Sequence, residues 1–420
     1  MILLSAMGLT PLWLDEVLQL ANTRGTSLHE LIRWIELNAG AVPLPYLFQN
    51  AVVNALGTSA FAARIPAALC SALSGIVFAM LCPQFLKRGR AIAIAAFLVL
   101  PLQFRYGLEA RGYSQGLLFC LISLWLFLRL SERPSTRLAV LYGISVALGL
   151  YSQPLTLFPA LAQVLAANRR ARWPACLALG AAGVSFLPWY FAQRTAQVQY
   201  AAAVSKPTAF FSIHQIAPGV LLHDLSGGGY ICTIAILLLA LWGAFQKNRL
   251  LLVTVGVSIL GPILMDAAFH YFFAERQLLF AMPALVLLAW QGEAGKPASY
   301  VWFLLAALFF GSALVKDFRL ATVPKDGLAA TADAIAARIH GDSCLITAPR
   351  EQASLYVFFR PELQEKICGV NPAAPAILAV ASSYSTPAEK RALLDSLASG
   401  YEQKTAVAIG QSEIWTYRHR

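Results

Sequence analysis

Charge is the scarce ingredient of this sequence. Asp, Glu, Lys and Arg make up 13% of its 420 residues against 58% hydrophobic ones. A soluble globular surface carries roughly 25% charged residues. Acids are scarcer still, 21 against 32 bases, which leaves a net charge of +11. Such an excess signals nucleic acid only when it forms a patch or stripe. Here Lys and Arg stand in short clusters between apolar runs, the pattern of loops that orient a membrane protein, so no nucleic-acid partner is expected. The six histidines show no HExxH-like spacing. Cys70, Cys82, Cys120, Cys176 and Cys232 lie in or beside apolar runs without ligand spacing, so no metal site is indicated. Cys344 and Cys368 stand in the polar C-terminal part, as two thiols or as a pair if that part is extracytoplasmic.

What the sequence has in abundance is long apolar runs. They predict spans at 65–86, 91–106, 112–130, 138–151, 154–167, 173–192, 229–245, 250–268, 276–290 and 299–316. The fold class is therefore an all-α polytopic membrane domain of about 10–11 transmembrane helices. Interfacial helices in the first outer loop belong to it. Ser27-Leu28-His29-Glu30 is a capping-box pattern, after which Leu28, Leu31, Ile32 and Ile35 share one helical face. Pro43 and Pro45 break that helix, and a second runs from Tyr46 to Leu56.

Basic residues alternate with the spans: Lys87, Arg88 and Arg90; Arg129, Arg133 and Arg137; Arg169, Arg170 and Arg172; Lys247 and Arg249; Lys296. With those loops cytoplasmic, the other connections and everything after Lys316 face out. Fewer residues precede Asp15 than the ~20 of a span, so the first helix is shortened or the start lies upstream. No basic n-region or cleavage site marks a signal peptide.

From about Ala321 the charge density rises. Cys344–Ile346, Ala376–Val380 and Ala406–Ile409 read as buried strands, with Ala388–Leu397 as a helix. The expected division is thus a transmembrane domain over 1–320 and a small extracytoplasmic α/β domain over 321–420. The latter has no phosphate loop or Ser/His/Asp motif, and acceptor handling or stability is its expected task.

This topology gathers polar residues on the outer face: Asp15, Glu16, Glu109, Arg111, Tyr113, His214, His270, Glu275 and Arg276 among them. Adjacent carboxylates in the apolar run around Trp13-Leu14-Asp15-Glu16 are costly near lipid and mark a candidate chemical centre. A carboxylate could take a proton from an acceptor hydroxyl while arginines hold a departing phosphate. Each group also has a plainer explanation. Asp15 and Glu16 could simply end an apolar segment. Glu109 and Arg111 could form a local ion pair. Arg276 could be a snorkelling anchor, and His29, His214 and His223 interfacial polar residues.

Five stretches carry a family resemblance, in order: Trp13-Leu14-Asp15-Glu16; Pro43-Leu44-Pro45-Tyr46-Leu47; Gly57 to Leu69; Glu109-Ala110-Arg111-Gly112-Tyr113-Ser114; and Arg276 to Leu285. The chain resembles the GT-C superfamily of integral-membrane glycosyltransferases, in the bacterial branch related to protein O-mannosyltransferases and the lipid A aminoarabinose transferase. Val42 stands where the second element often has histidine. The resemblance implies inverting transfer of a sugar from a polyprenyl-phosphate donor, needing no separate cofactor, on the extracytoplasmic face of the bacterial inner membrane. The acceptor would be a lipid, a glycan or a protein. Asp15 and Glu16 would be the catalytic pair, and Glu109, Arg111, Tyr113, His270, Arg276 and Tyr46 would contact substrate. Membrane lipids and the lipid-linked donor are the implied partners. Two other classes compete: a lipid or glycan transporter, which should show inverted repeats and midplane charges, and a non-catalytic partner of a glycan-assembly complex.

Overall fold

A computed structural model of the chain describes residues 6–23, 27–38, 40–204, 219, 222–223, 225–269, 274–291, 300–368, 374–382, 384–410 and 412–420. It divides into two compact units, one of Met1–Met7 with Asn22–Thr322 and one of Gly8–Ala21 with Val323–Arg420. The sequence-based division kept the whole N-terminus with the membrane part. Gly8–Ala21 instead groups with the C-terminal residues, for a local reason given below.

The first complete helix is α1 (Leu14–Thr23). In the membrane unit α2 (Leu28–Glu36) starts at the Ser27/Glu30 capping box that the sequence predicts. Leu31 and Ile35 are buried with Val42, Tyr46 and Trp189. Leu28 is 61% exposed, off the face predicted for it. α3 (Pro43–Leu56) begins earlier than expected. Pro43 and Pro45 stand in its first turn, where a missing N–H loses no helical bond.

Among the described residues each predicted span falls on one or two helical segments. They are α4 (Ala60–Phe85), the pair α5 (Arg90–Leu98) and α6 (Pro101–Leu108), α7 (Tyr113–Glu132) and α8 (Thr136–Ser152). A 3-10 turn at Pro154–Thr156 leads into α9 (Leu157–Ala166), followed by α10 (Arg169–Ala192) and α11 (Arg194–Val204). Then come α12 (Gly229–Ala244), α13 (Arg249–Phe269), a 3-10 stretch Glu275–Ala281 running into α14 (Met282–Gln291), and α15 (Tyr300–Thr322). Among the described residues five helices (α4, α7, α10, α13 and α15) are each long and apolar enough to cross a membrane; α5 with α6 makes a sixth, bent by 49°. The bend has a cause in sequence. Pro101 offers no N–H, and Leu100 before it takes an extended conformation. The chain is a multi-pass membrane protein.

α14 is the centre of the membrane unit: every residue from Met282 to Gln291 is buried, as a helix apolar on all sides requires. α12 crosses it at Gly243, where a Cβ would meet the Leu288 carbonyl oxygen at 1.6 Å, so only glycine fits.

The second unit is a four-stranded sheet with helices. α16 (Leu328–Ala336) precedes β1 (Cys344–Ala348); α17 (Ala353–Phe359) precedes β2 (Ala376–Ala381); α18 (Pro387–Ala398) precedes β3 (Tyr401–Ile409) and β4 (Ser412–His419). The strand order is β1-β2-β4-β3, with β1 and β2 parallel and the remaining pairs antiparallel. Ile346, Ile377, Ala379, Leu393, Leu397 and Trp415 are among its core residues. Cys344 and Cys368 form a disulfide.

Candidate active site

The polar centre of the membrane unit lies where α6 turns into α7. Glu109 caps the C-terminal end of α6 in extended conformation, and Gly112 starts α7. Arg105, one helical turn before Glu109, donates from Nε to its Oε1 at 2.9 Å. The same guanidinium binds Glu275 through Nη1. Arg105 is thus held between two carboxylates, with 19% of its side chain exposed. Their mutual attraction and hydrogen bonds offset part of the desolvation cost of holding three charges in a largely buried place.

Arg111 and Arg276 approach Tyr113, each with its guanidinium carbon 5.9 Å from the ring centroid. That is within the range of a cation–π contact. Tyr113 packs on Tyr106 at 4.8 Å between centroids, and Ser114 donates its hydroxyl to the Tyr106 carbonyl at 2.7 Å. Glu275 and Arg276 open one 3-10 stretch, so a single turn supplies an acid to Arg105 and a base to Tyr113. Three arginines and two glutamates thus stand around two tyrosines packed on each other. Planar guanidiniums of this kind recognise phosphate in two-point fashion.

The motifs explain the placement. A Cβ on Gly112 would lie 2.4 Å from Pro45 Cγ and 2.8 Å from the Ser152 carbonyl oxygen. The proline-rich element therefore presses on the residue between Arg111 and Tyr113. Tyr46 is buried among apolar residues, its ring 5.4 Å from that of Trp34. Its neighbour Pro45 makes the approach to Gly112. Arg64, 3% exposed, donates from Nη1 to the Met7 carbonyl at 2.9 Å. His270 and His214 lie outside the described residues.

The structure brings together Glu109, Arg111, Tyr113 and Arg276 from the sequence-based candidates and adds Arg105. Arg105 falls inside the predicted span 91–106, where the apolar window hides it. An arginine inside a span is itself the signal that could have found it.

The acidic pair belongs to the second unit. Trp13 precedes α1, and its amide donates to Glu16 Oε2 at 3.2 Å, so Glu16 serves as the third-residue acid of an N-cap. Glu16 is buried. The Leu14 amide donates to Asp326 Oδ2 at 2.9 Å, and Lys325 Nζ lies 3.0 Å from the Trp13 ring centroid. These contacts tie Gly8–Ala21 to the C-terminal residues. Tyr384 donates its hydroxyl to the same Asp326 oxygen at 3.0 Å. Burial, with the Asp326 and Asp15 carboxylates nearby, holds the Tyr384 phenol well above its ordinary pKa. Asp15 therefore acts electrostatically on Tyr384, whereas Glu16 is engaged with the backbone. Among the described residues no three His, Cys, Asp or Glu side chains gather as a metal-binding group.

Residues 41–190 match the family model of dolichyl-phosphate-mannose-protein mannosyltransferases. That stretch holds three of the five motifs. The chain superposes on the crystal structure of ArnT from Cupriavidus metallidurans in the apo state with a TM-score of 0.61 at 14% identity, covering 99% of this chain and 95% of that one. ArnT from the same organism bound to undecaprenyl phosphate gives a TM-score of 0.62 at 15% identity, covering 99% and 96%. A sequence search of curated proteins gives no match. At these identities the superpositions show a fold shared with ArnT over nearly the whole chain, and the mannosyltransferase family match covers residues 41–190.

Proposed function

We propose that this chain transfers a sugar from a polyprenyl-phosphate donor to an acceptor on the extracytoplasmic face of the bacterial inner membrane, inverting the anomeric carbon. The observation that carries the reading is the convergence of Arg111 and Arg276 on Tyr113 beside the Arg105–Glu109–Glu275 cluster. Its guanidiniums suit the phosphate that departs with its lipid when the glycosidic bond breaks. Fixed cations there stabilise charge that grows in the transition state. Glu109 and Glu275, both bound to Arg105, act as positioning groups. Asp15, by its place in the first motif, is the proposed base that takes the acceptor hydroxyl proton. The undecaprenyl phosphate bound by ArnT supports a lipid-linked donor. The Cys344–Cys368 disulfide supports an oxidising compartment for the second unit, in agreement with the alternation of basic loops.

The test uses purified full-length protein in proteoliposomes, with a mixture of polyprenyl-phosphate sugars and envelope lipid extract, reading release of polyprenyl phosphate. Arg111→Lys and Arg276→Lys keep the charge and lose the two-point geometry, so each should raise the donor KM by about tenfold. Wild-type KM in both variants would remove the arginines from donor recognition.

A further inference from the structure

α8 and α10 leave between them an apolar groove of about 820 Å³ within the membrane unit, lined by none of the residues of the arginine–tyrosine centre. Its floor is made of small residues: a Cβ on Gly143 would lie 3.4 Å from the Ala178 Cβ, and Ala147 and Ala181 line it further along. Its walls are large and open, with Val140 55%, Ile144 51%, Trp173 73% and Leu177 69% exposed. From Thr136 to Ala147 the lining extends about 17 Å along α8, close to one leaflet of a ~30 Å hydrocarbon core.

One end of this groove is strongly basic. α8 and α10 begin there side by side, each capped by a side chain: Ser135 accepts from the Leu138 amide and Asn168 from the Ala171 amide. Asn168 also donates to the Ser131 carbonyl at 3.2 Å, which fastens the start of α10 to the loop before α8. Arg133, Arg137, Arg169, Arg170 and Arg172 are exposed around these two positive helix ends, with Glu132 as the neighbouring acid. Arg172 donates to the Ala167 carbonyl.

We infer that the groove is a binding site for an anionic phospholipid, its phosphate held by the arginines at the helix starts and one acyl chain lying on the Gly143–Ala178 floor. Charge complementarity selects an anionic head. The one-leaflet length selects an acyl chain over a polyprenyl chain. Basic pockets between transmembrane helices bind acidic headgroups by this physics.

The experiment reconstitutes the full chain in phosphatidylcholine vesicles with rising amounts of phosphatidylglycerol brominated on its acyl chains. The Trp173 contribution to fluorescence quenching is taken as wild type minus Trp173→Phe. Half-quenching should come at a roughly tenfold lower mole fraction of brominated phosphatidylglycerol than of brominated phosphatidylcholine, the preference that one or two arginines confer. Combined Arg137→Gln, Arg169→Gln and Arg170→Gln should erase that difference. Ala181→Phe, an exposed residue that fills the groove, should weaken quenching by both lipids. Equal quenching by the two lipids in the wild type would overturn the inference. So would displacement of brominated phosphatidylglycerol by an equal fraction of undecaprenyl phosphate, which would make the groove a prenyl site.

Discussion

The arginine cluster of the membrane unit and the acidic pair of the second unit hold charge in opposite ways. In the first, side chains answer side chains: Arg105 lies between Glu109 and Glu275, and Tyr113 is shared by Arg111 and Arg276. In the second, carboxylates answer the backbone: Glu16 accepts from the Trp13 amide and Asp326 from the Leu14 amide. The comparison separates two acids that are adjacent in sequence. Glu16 has a structural task that any short acceptor could partly fulfil, while Asp15 acts electrostatically on the Tyr384 phenol.

The largest expected effect follows from that separation. Asp15→Asn should lower turnover by about 10²–10⁴, the usual contribution of a positioned general base. Glu16→Gln keeps a side-chain oxygen for the Trp13 amide and should lower it by less than about tenfold, since only the charge-assisted part of one hydrogen bond is lost. Both are read as polyprenyl phosphate released per minute in proteoliposomes, with size-exclusion profiles showing the protein intact. Equal losses in the two variants would break the distinction, because then the pair would act as one unit.

A middle-sized effect tests how the first cluster is held. Gly112→Ala places a methyl against Pro45 and the Ser152 carbonyl, a clash that backbone shifts must absorb. Overpacking of this kind costs about 1–3 kcal/mol. The shift falls on Arg111 and Tyr113, so donor KM should rise together with a fall in the unfolding temperature in detergent. An unchanged KM in a destabilised variant would show that the motif serves packing alone.

Much of the architecture was legible because apolar runs and basic loops are long-range signals that survive small errors of boundary. Every predicted span lies on helix, yet 91–106 is two helices. Leu100-Pro101 carries the break in plain sight, but the hydropathy of the window hides it. In the second unit continuous apolar runs mark three strands, while β4 has none. Ser412-Glu413-Ile414-Trp415-Thr416-Tyr417-Arg418-His419 mixes buried and exposed positions along one strand, and two of its core groups are the aromatic rings Trp415 and Tyr417. The candidate site was half legible. Motif order led to Arg111, Tyr113 and Arg276, but not to Arg105, whose significance depends on Glu275, 170 positions away. Nor could spacing show that Trp13-Leu14 would be fixed to Asp326 and Lys325, since those contacts join the two ends of the chain.

The smallest effect returns to capping and sharpens the first comparison. Glu30 stands at the same third position of α2 as Glu16 does of α1, but on an exposed helix start. The Ser27 hydroxyl, and then the Ser27 amide, hold its carboxyl below the ordinary value of 4.5. A depressed folded value means that the carboxylate contributes fully above about pH 4.5 and loses its contribution as pH falls through the lower folded value. Amide protection over residues 28–32, corrected for intrinsic exchange, should therefore decline as pH falls below about 4.5 in the wild type. It should stay flat with pH in Glu30→Gln, and transfer at neutral pH should be unchanged in that variant. If Glu16→Gln alters transfer no more than Glu30→Gln does, Glu16 is a cap and nothing else, and the chemistry of the first motif rests on Asp15.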